Sequence, residues 1–167
     1  MASLQPLTGL IAAAFTPLNE DRSLNLSIVP RIVDHLIQDG ITGLYVCGST
    51  GEGPSLTTEE RKAVAKAYVE AAAGRIPVIV HVGHDSLEEA RTLAQHAAEI
   101  GADALAAMPP AYFKSQTADD LVAALAHIAS GAESVPFFYY HIPALNGYNF
   151  SMVELLEKAP EHIPSFA

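Results

Sequence analysis

Two glycines and two hydroxyl side chains stand together in Gly48-Ser49-Thr50-Gly51-Glu52, a combination that can bind an anion. The apolar run Gly43-Leu44-Tyr45-Val46-Cys47 in front of it reads as a buried strand. Behind it, Thr57-Thr58-Glu59-Glu60 has capping-box spacing: the Thr57 hydroxyl can accept from the Glu60 amide while the Glu60 carboxylate reaches back. A short loop between a strand end and a helix start presents free N–H and O–H donors to a ligand. No Gly-Lys pair is present to hold a β- or γ-phosphate, so this is not a P-loop. A small carboxylate suits it better. The plainer alternative is a tight turn that needs glycine at positive φ.

Other candidates close the remaining apolar runs: Thr16, His81 and His84, Tyr112, then Tyr140 and His141. The set is rich in hydroxyls, and Glu52 is its only carboxylate, which argues against the paired acids of glycoside hydrolysis. Ser49 lacks the G-x-S-x-G setting of a hydrolase nucleophile. His81-x-x-His84 has no carboxylate or cysteine companion and reads as a hydrogen-bonded structural pair, not half of a metal site. In Tyr139-Tyr140 a strand must send neighbours to opposite faces, so one phenol faces the interior and needs a partner there. His35, His96, His127 and His162 lie in helices or their flanks and read as surface residues.

The elements that position these residues repeat. Strands are expected at residues 9–15, 43–47, 77–82, 104–108 and 136–141, each a short apolar run without strict alternation. Helices are expected at 27–38, 58–73, 87–100, 118–130 and 152–158. Ser86-x-x-Glu89 and Ser151-x-x-Glu154 repeat the capping spacing, and Thr117 precedes Asp119 and Asp120. Gly40, Gly74, Gly101 and Gly131 mark the stops. Strand–helix units of roughly 30 residues imply a parallel sheet. Five units in 167 residues keep the pace of a (β/α)₈ TIM barrel truncated after about five βα units. A flavodoxin-like sheet fits the count, but Thr16-Pro17-Leu18-Asn19 follows the first strand where that fold would carry a glycine-rich loop.

A chain of 167 residues, half of them hydrophobic, can bury one core, and residues 1–167 read as part of a single domain. Net charge −10 argues against nucleic acid and anionic membranes, so an anionic substrate needs local donors. One cysteine, Cys47, excludes an internal disulfide and reads as an inert buried thiol. The first residues show no secretory signal pattern, and no apolar run is long enough to span a bilayer. A cytoplasmic location is expected.

Gly43-Leu44-Tyr45-Val46-Cys47-Gly48-Ser49-Thr50-Gly51-Glu52-Gly53, with Glu60 at its end, resembles the first signature of the N-acetylneuraminate lyase and dihydrodipicolinate synthase family. Tyr140-His141-Ile142-Pro143-Ala144-Leu145-Asn146-Gly147 is similar to that family's fifth-strand motif, and its histidine and Pro-Ala-Leu tail look most like the sialic acid lyase branch. Ala14-Phe15-Thr16-Pro17, His81-Val82-Gly83 and Met108-Pro109-Pro110-Ala111-Tyr112 also fall in register. The resemblance implies a class I aldolase on a (β/α)₈ barrel that cleaves N-acetylneuraminate to N-acetylmannosamine and pyruvate without metal or organic cofactor. Ser49 and Thr50 would hold the pyruvate carboxylate, with His141 also on the substrate side. Tyr140 would shuttle the proton, in a relay with Thr50 and with Tyr112 from a neighbouring subunit of a homotetramer.

The Schiff-base lysine that the resemblance implies belongs on a sixth strand. The chain has only Lys62, Lys66, Lys114 and Lys158, three in helices and Lys114 in a loop, none placed to serve. Pro164-Ser165-Phe166-Ala167 reads as the opening of that strand, so the chain is expected to be an N-terminal portion, inactive by itself. Alternatives are dihydrodipicolinate synthase or another 2-keto acid aldolase, and a non-catalytic truncated paralogue or interaction fragment.

Overall fold

The computed structural model describes residues 7–167; the first six residues, read above for a secretory signal, lie outside the described residues. Five strands form one parallel sheet: β1 (Ile11–Ala13), β2 (Gly43–Val46), β3 (Val78–His81), β4 (Ala104–Ala107) and β5 (Phe137–Tyr139). Their spatial order is the order of the chain, β1-β2-β3-β4-β5. A doubly wound sheet reverses direction at a switch point, whereas a barrel adds each strand to the same side. The flavodoxin-like alternative therefore falls. Phe166 bridges Phe137 in parallel, with the Phe137 amide 2.8 Å from the Ser165 carbonyl and the Ala167 amide 3.0 Å from the Phe137 carbonyl. A sixth parallel partner thus begins beside β5, where the sequence predicts one.

Six α-helices accompany the strands: α1 (Val29–Gln38), α2 (Thr58–Ala72), α3 (Leu87–Glu99), α4 (Ala118–Ala129), the short α5 (Pro143–Asn146) and α6 (Met152–His162). All but α5 cover one face of the sheet and pack on their neighbours in turn. Leu44, Val46, Val78, Val80, Leu105, Ala107 and Phe137 bury their side chains in the main core with Tyr68, Leu93, Leu121, Leu125 and Leu155. The alternate residues Tyr45, Ile79, Ala104, Ala106 and Phe138 form a separate, smaller inner cluster. Period two along each strand assigns every side chain to one of these layers.

Helix starts divide into two kinds. Thr57–Glu60 and Thr117–Asp120 make complete capping boxes. Ser86 and Ser151 each accept the N3 amide, but the carboxylates do not reach back: Glu89 takes the Thr58 hydroxyl at 2.7 Å, and Glu154 pairs with Lys158 at 2.9 Å. Gly40, Gly74 and Gly101 have positive φ as helix stops should. Gly131 departs from that reading: a Cβ there would lie 2.3 Å from the Arg91 carbonyl, so it is small to let the end of α4 approach α3. Two further differences concern the C-terminal third. Helix α5 follows β5 where the sequence suggests only loop, and α6 continues past Lys158 through Pro160 because Leu155, Ala159 and Ile163 keep its inner face buried. No helix among the described residues is long and apolar enough to cross a membrane.

Candidate active site

The loop after β2 is shaped by close approaches. Cys47 and Glu52 bracket it with φ of 60° and 54°, left-handed conformations that L-residues adopt only when the surroundings enforce them. A Cβ on Gly53 would lie 1.9 Å from the Cys47 carbonyl oxygen, and one on Gly48 would lie 2.6 Å from Cε1 of Tyr45. The Gly53 amide donates to the Gly48 carbonyl at 3.0 Å and the Thr16 hydroxyl to the Gly51 carbonyl at 2.6 Å, tying the loop to the end of β1. These bonds leave Ser49 and Thr50 exposed, and neither amide donates to a protein acceptor among the described residues. A 3₁₀ turn, Gly53–Ser55, separates the loop from α2.

Behind the loop the inner face gathers an aromatic cluster. The Tyr140 ring centroid lies 5.6 Å from that of Tyr45 and meets His81 edge-on at 6.5 Å, while Tyr45 and His81 are 6.0 Å apart. Of the tyrosine pair, Tyr140 is therefore the inward one. Tyr139 packs on the outer core, where burial pushes its phenol up to about 12. His141 lies beside Tyr139, with ring centroids 5.8 Å apart, so the structure places it with the outward ring and not in the Tyr140 cluster.

His81 is the last residue of β3 and is buried. Its Nε2 accepts the Met108 amide at 3.2 Å. Burial and then the adjacent Arg61 guanidinium push its pKa down to about 3, so it is neutral. His84 accepts the Ser86 amide on Nδ1 at 2.9 Å. Each imidazole thus has its own structural bond, and the two serve separate backbone amides. Among the described residues no three histidine, cysteine, aspartate or glutamate side chains converge on a possible metal position.

Three residues of this region escape sequence reasoning. Arg61 is 2% exposed and donates to the carbonyls of His81 at 2.7 Å and Gly83 at 2.9 Å. In sequence it is one more charge in a helix start, although Arg61, Val64, Ala65, Tyr68 and Ala72 share one buried helical stripe that could flag it. Tyr45 reads only as part of an apolar strand. Tyr148 gives no signal at all; its hydroxyl donates to the Pro110 carbonyl and accepts the Ser115 amide, both at 2.9 Å, pinning the loop after β4.

That loop carries Tyr112, 78% exposed and edge-stacked on Phe113, which is 85% exposed. Asp85 holds the loop through the amides of Ala111 and Tyr112, and Tyr112 stands apart from the Tyr140 cluster within this chain. The lysines are elsewhere. Lys62, Lys66 and Lys158 pair with carboxylates on helices, and Lys114 is exposed in the loop before α4. Cys47 is buried, with burial raising its thiol to about 11, in keeping with an inert group.

Sequential parallel strands, with an exposed hydroxyl loop and an inward tyrosine at their carboxyl ends, define a truncated TIM-barrel fold. The chain belongs to the dihydrodipicolinate synthetase family, whose model matches residues 6–161. It is 45% identical over 162 residues to the N-acetylneuraminate lyase of Xenopus tropicalis, a match covering 96% of this chain and 53% of the relative. The Proteus mirabilis N-acetylneuraminate lyase superposes with a TM-score of 0.94 at 39% identity, over 98% of this chain and 55% of that one. A catalytic lysine mutant of Ruminococcus gnavus sialic acid aldolase superposes with a TM-score of 0.87 at 27% identity, over 94% and 50% of the two chains. The chain spans about half the length of the relatives it matches.

Proposed function

We propose that this chain is the N-terminal part of a (β/α)₈ aldolase domain which, in the intact protein, cleaves N-acetylneuraminate reversibly to N-acetylmannosamine and pyruvate. The observation that carries the reading is the Ser49–Thr50 loop, whose amides and hydroxyls are free to receive a carboxylate at the mouth of the sheet. Tyr140 stands behind it as the proton carrier, with Thr50 completing the relay. Tyr112, exposed on its loop, is suited to enter the site of a neighbouring subunit in a homotetramer. His141 is assigned to the sugar side. The likeness to N-acetylneuraminate lyases supports the choice of substrate.

Cleavage needs an amine that condenses with the 2-keto group and turns the iminium into an electron sink. Lys62, Lys66 and Lys158 pair with carboxylates on helices, and Lys114 is exposed in its loop with Nζ beside Gly147. We assign the amine to the strand that opens beside β5 at Phe166. The 167 residues alone are then inactive. Borohydride reduction in the presence of pyruvate, followed by intact-mass measurement, tests this: no adduct on the 167-residue chain, one on the protein extended through the sixth strand. A stoichiometric adduct mapped to Lys114 overturns the assignment. We place the protein in the cytoplasm on the chemistry of its single unpaired thiol.

A further inference from the structure

We propose that His81 is a positioning residue for Tyr140: its imidazole stands in for a ladder carbonyl at the end of β4 and so fixes the peptide unit to which the Tyr140 main chain is bonded. The inference rests on the reading of Tyr140 as proton carrier. The ladder between β3 and β4 closes with the Val82 amide on the Ala106 carbonyl at 2.8 Å. One step further along, the Met108 amide donates to Nε2 of His81 at 3.2 Å and not to a β3 carbonyl. The other side of that same peptide unit, the Ala107 carbonyl, accepts the Tyr140 amide at 2.9 Å. A single planar group therefore joins the imidazole to the main chain of Tyr140. The His81 ring also meets the Tyr140 ring edge-on, with centroids 6.5 Å apart.

The main chain is shaped to admit this contact. A Cβ on Gly83 would lie 2.8 Å from the Met108 carbonyl oxygen, 2.9 Å from the Met108 nitrogen and 3.0 Å from Cε1 of His81. Gly83 is not among the residues of positive φ, so space and not backbone conformation demands glycine there. An imidazole that accepts on Nε2 carries its proton on Nδ1, which meets the Cys47 main chain. Arg61 grips the strand from behind, through the main-chain carbonyls of His81 at 2.7 Å and Gly83 at 2.9 Å, and leaves Nε2 to Met108. A buried polar ring is costly unless it is bonded, and Val78, Ile79 and Val80 of the same strand offer no side chain that could accept an amide. Histidine stands where the ladder runs out and an acceptor is needed.

The test compares His81→Asn with His81→Gln in the intact protein. The shorter amide ends at the level of Nδ1 and loses Met108, whereas the longer one extends to the level of Nε2 and still offers an acceptor. Both leave in place the main-chain carbonyls that Arg61 holds. Hydrogen–deuterium exchange reads the first step, and peptides ending at Pro110 report Met108 as their last amide because Pro109 and Pro110 carry none. Exchange at Met108 should quicken about tenfold in His81→Asn, with Tyr140 following, and return to within about twofold of wild type in His81→Gln. kcat should fall about tenfold in His81→Asn and recover in His81→Gln, with KM constant within about twofold throughout. Gly83→Ala keeps the imidazole but wedges it off the amide and should match His81→Asn; this arm also stands if His81→Asn does not fold. Exchange at Tyr140 that keeps its wild-type rate in both His81→Asn and Gly83→Ala overturns the inference, as does a loss of kcat that His81→Gln fails to recover. The same exchange pattern in a protein whose Tyr140→Phe variant keeps full activity sustains the hold of His81 on Tyr140 and overturns the proton-carrier reading instead.

Discussion

The two faces of this sheet are built to different rules. On the outer face Leu44, Val46, Val78, Val80, Leu105, Ala107 and Phe137 are aliphatic or aromatic and fully packed under helices. On the inner face stand Tyr45 of β2, His81 of β3 and Tyr140 just past β5, polar rings with few partners, while at the β1 end Ile11 and Phe15 are 39% and 67% exposed. Adjacent residues of one strand thus serve opposite ends. Close packing is concentrated outside and polar rings inside, and the alternation of a strand keeps the two from interfering.

If this division holds, substitutions should separate cleanly by face. The largest effect is expected inside: in the intact protein, Tyr140→Phe should lower kcat about 10²–10⁴-fold, the usual loss for a general acid–base, while pyruvate trapping by borohydride persists. A loss below about tenfold removes Tyr140 from the proton path. Outside, Leu121→Ala, wholly buried on α4, should cost about 2–5 kcal/mol in urea unfolding. Equal costs for Leu121→Ala and Phe15→Ala would erase the contrast between the faces.

A pH effect links the two layers. His81 has a folded pKa of about 3 against an ordinary value of 6.5, so between those values the unfolded chain binds a proton that the native state refuses. Stability should therefore decline on acidification through that window, by about 1.4 kcal/mol per pH unit at most. His96, also lowered by partial burial, adds a slope of the same sign. Comparing urea midpoints of wild type and His81→Asn between pH 7 and 5 isolates the inner histidine. Parallel curves would mean that His81 protonates freely and that its bond from the Met108 amide is not maintained.

Much of this was legible in the sequence because βα units announce themselves locally. Apolar runs, capping residues and stop glycines are all near-neighbour signals, and the strand order follows once the units repeat. Ser49, Thr50 and Tyr140 were legible for the same reason, as each ends an apolar run. What escaped were residues whose meaning depends on a partner far along the chain. Arg61 matters because β3 ends 20 residues later at His81, and Tyr45 because Tyr140 lies across the sheet. Helix α6 running through Pro160 belongs here too, since burial of Leu155, Ala159 and Ile163 outweighed a local helix breaker. Tertiary context, not propensity, decided each of these.

The smallest expected change in stability is also the sharpest probe of the inner face. Phe15 is 67% exposed and Ile11 39% exposed, the one just past and the other on the strand at one end of the sheet among the described residues. Replacing exposed apolar side chains with charges normally alters stability by within about 0.5 kcal/mol. Ile11→Lys with Phe15→Glu should therefore leave the urea midpoint of the 167-residue chain almost unchanged. An exposed apolar inner surface beside an unpaired strand edge favours self-association, so wild type should scatter light and bind ANS while the charged variant does so much less. In the intact protein the same pair should be severely destabilising, because the layers of a closed barrel would bury both charges. Finding the two substitutions equally harmless in both forms would show that these side chains never enter a barrel interior. A monodisperse wild-type 167-residue chain with a sharp cooperative melt would show that the sheet stands open by design.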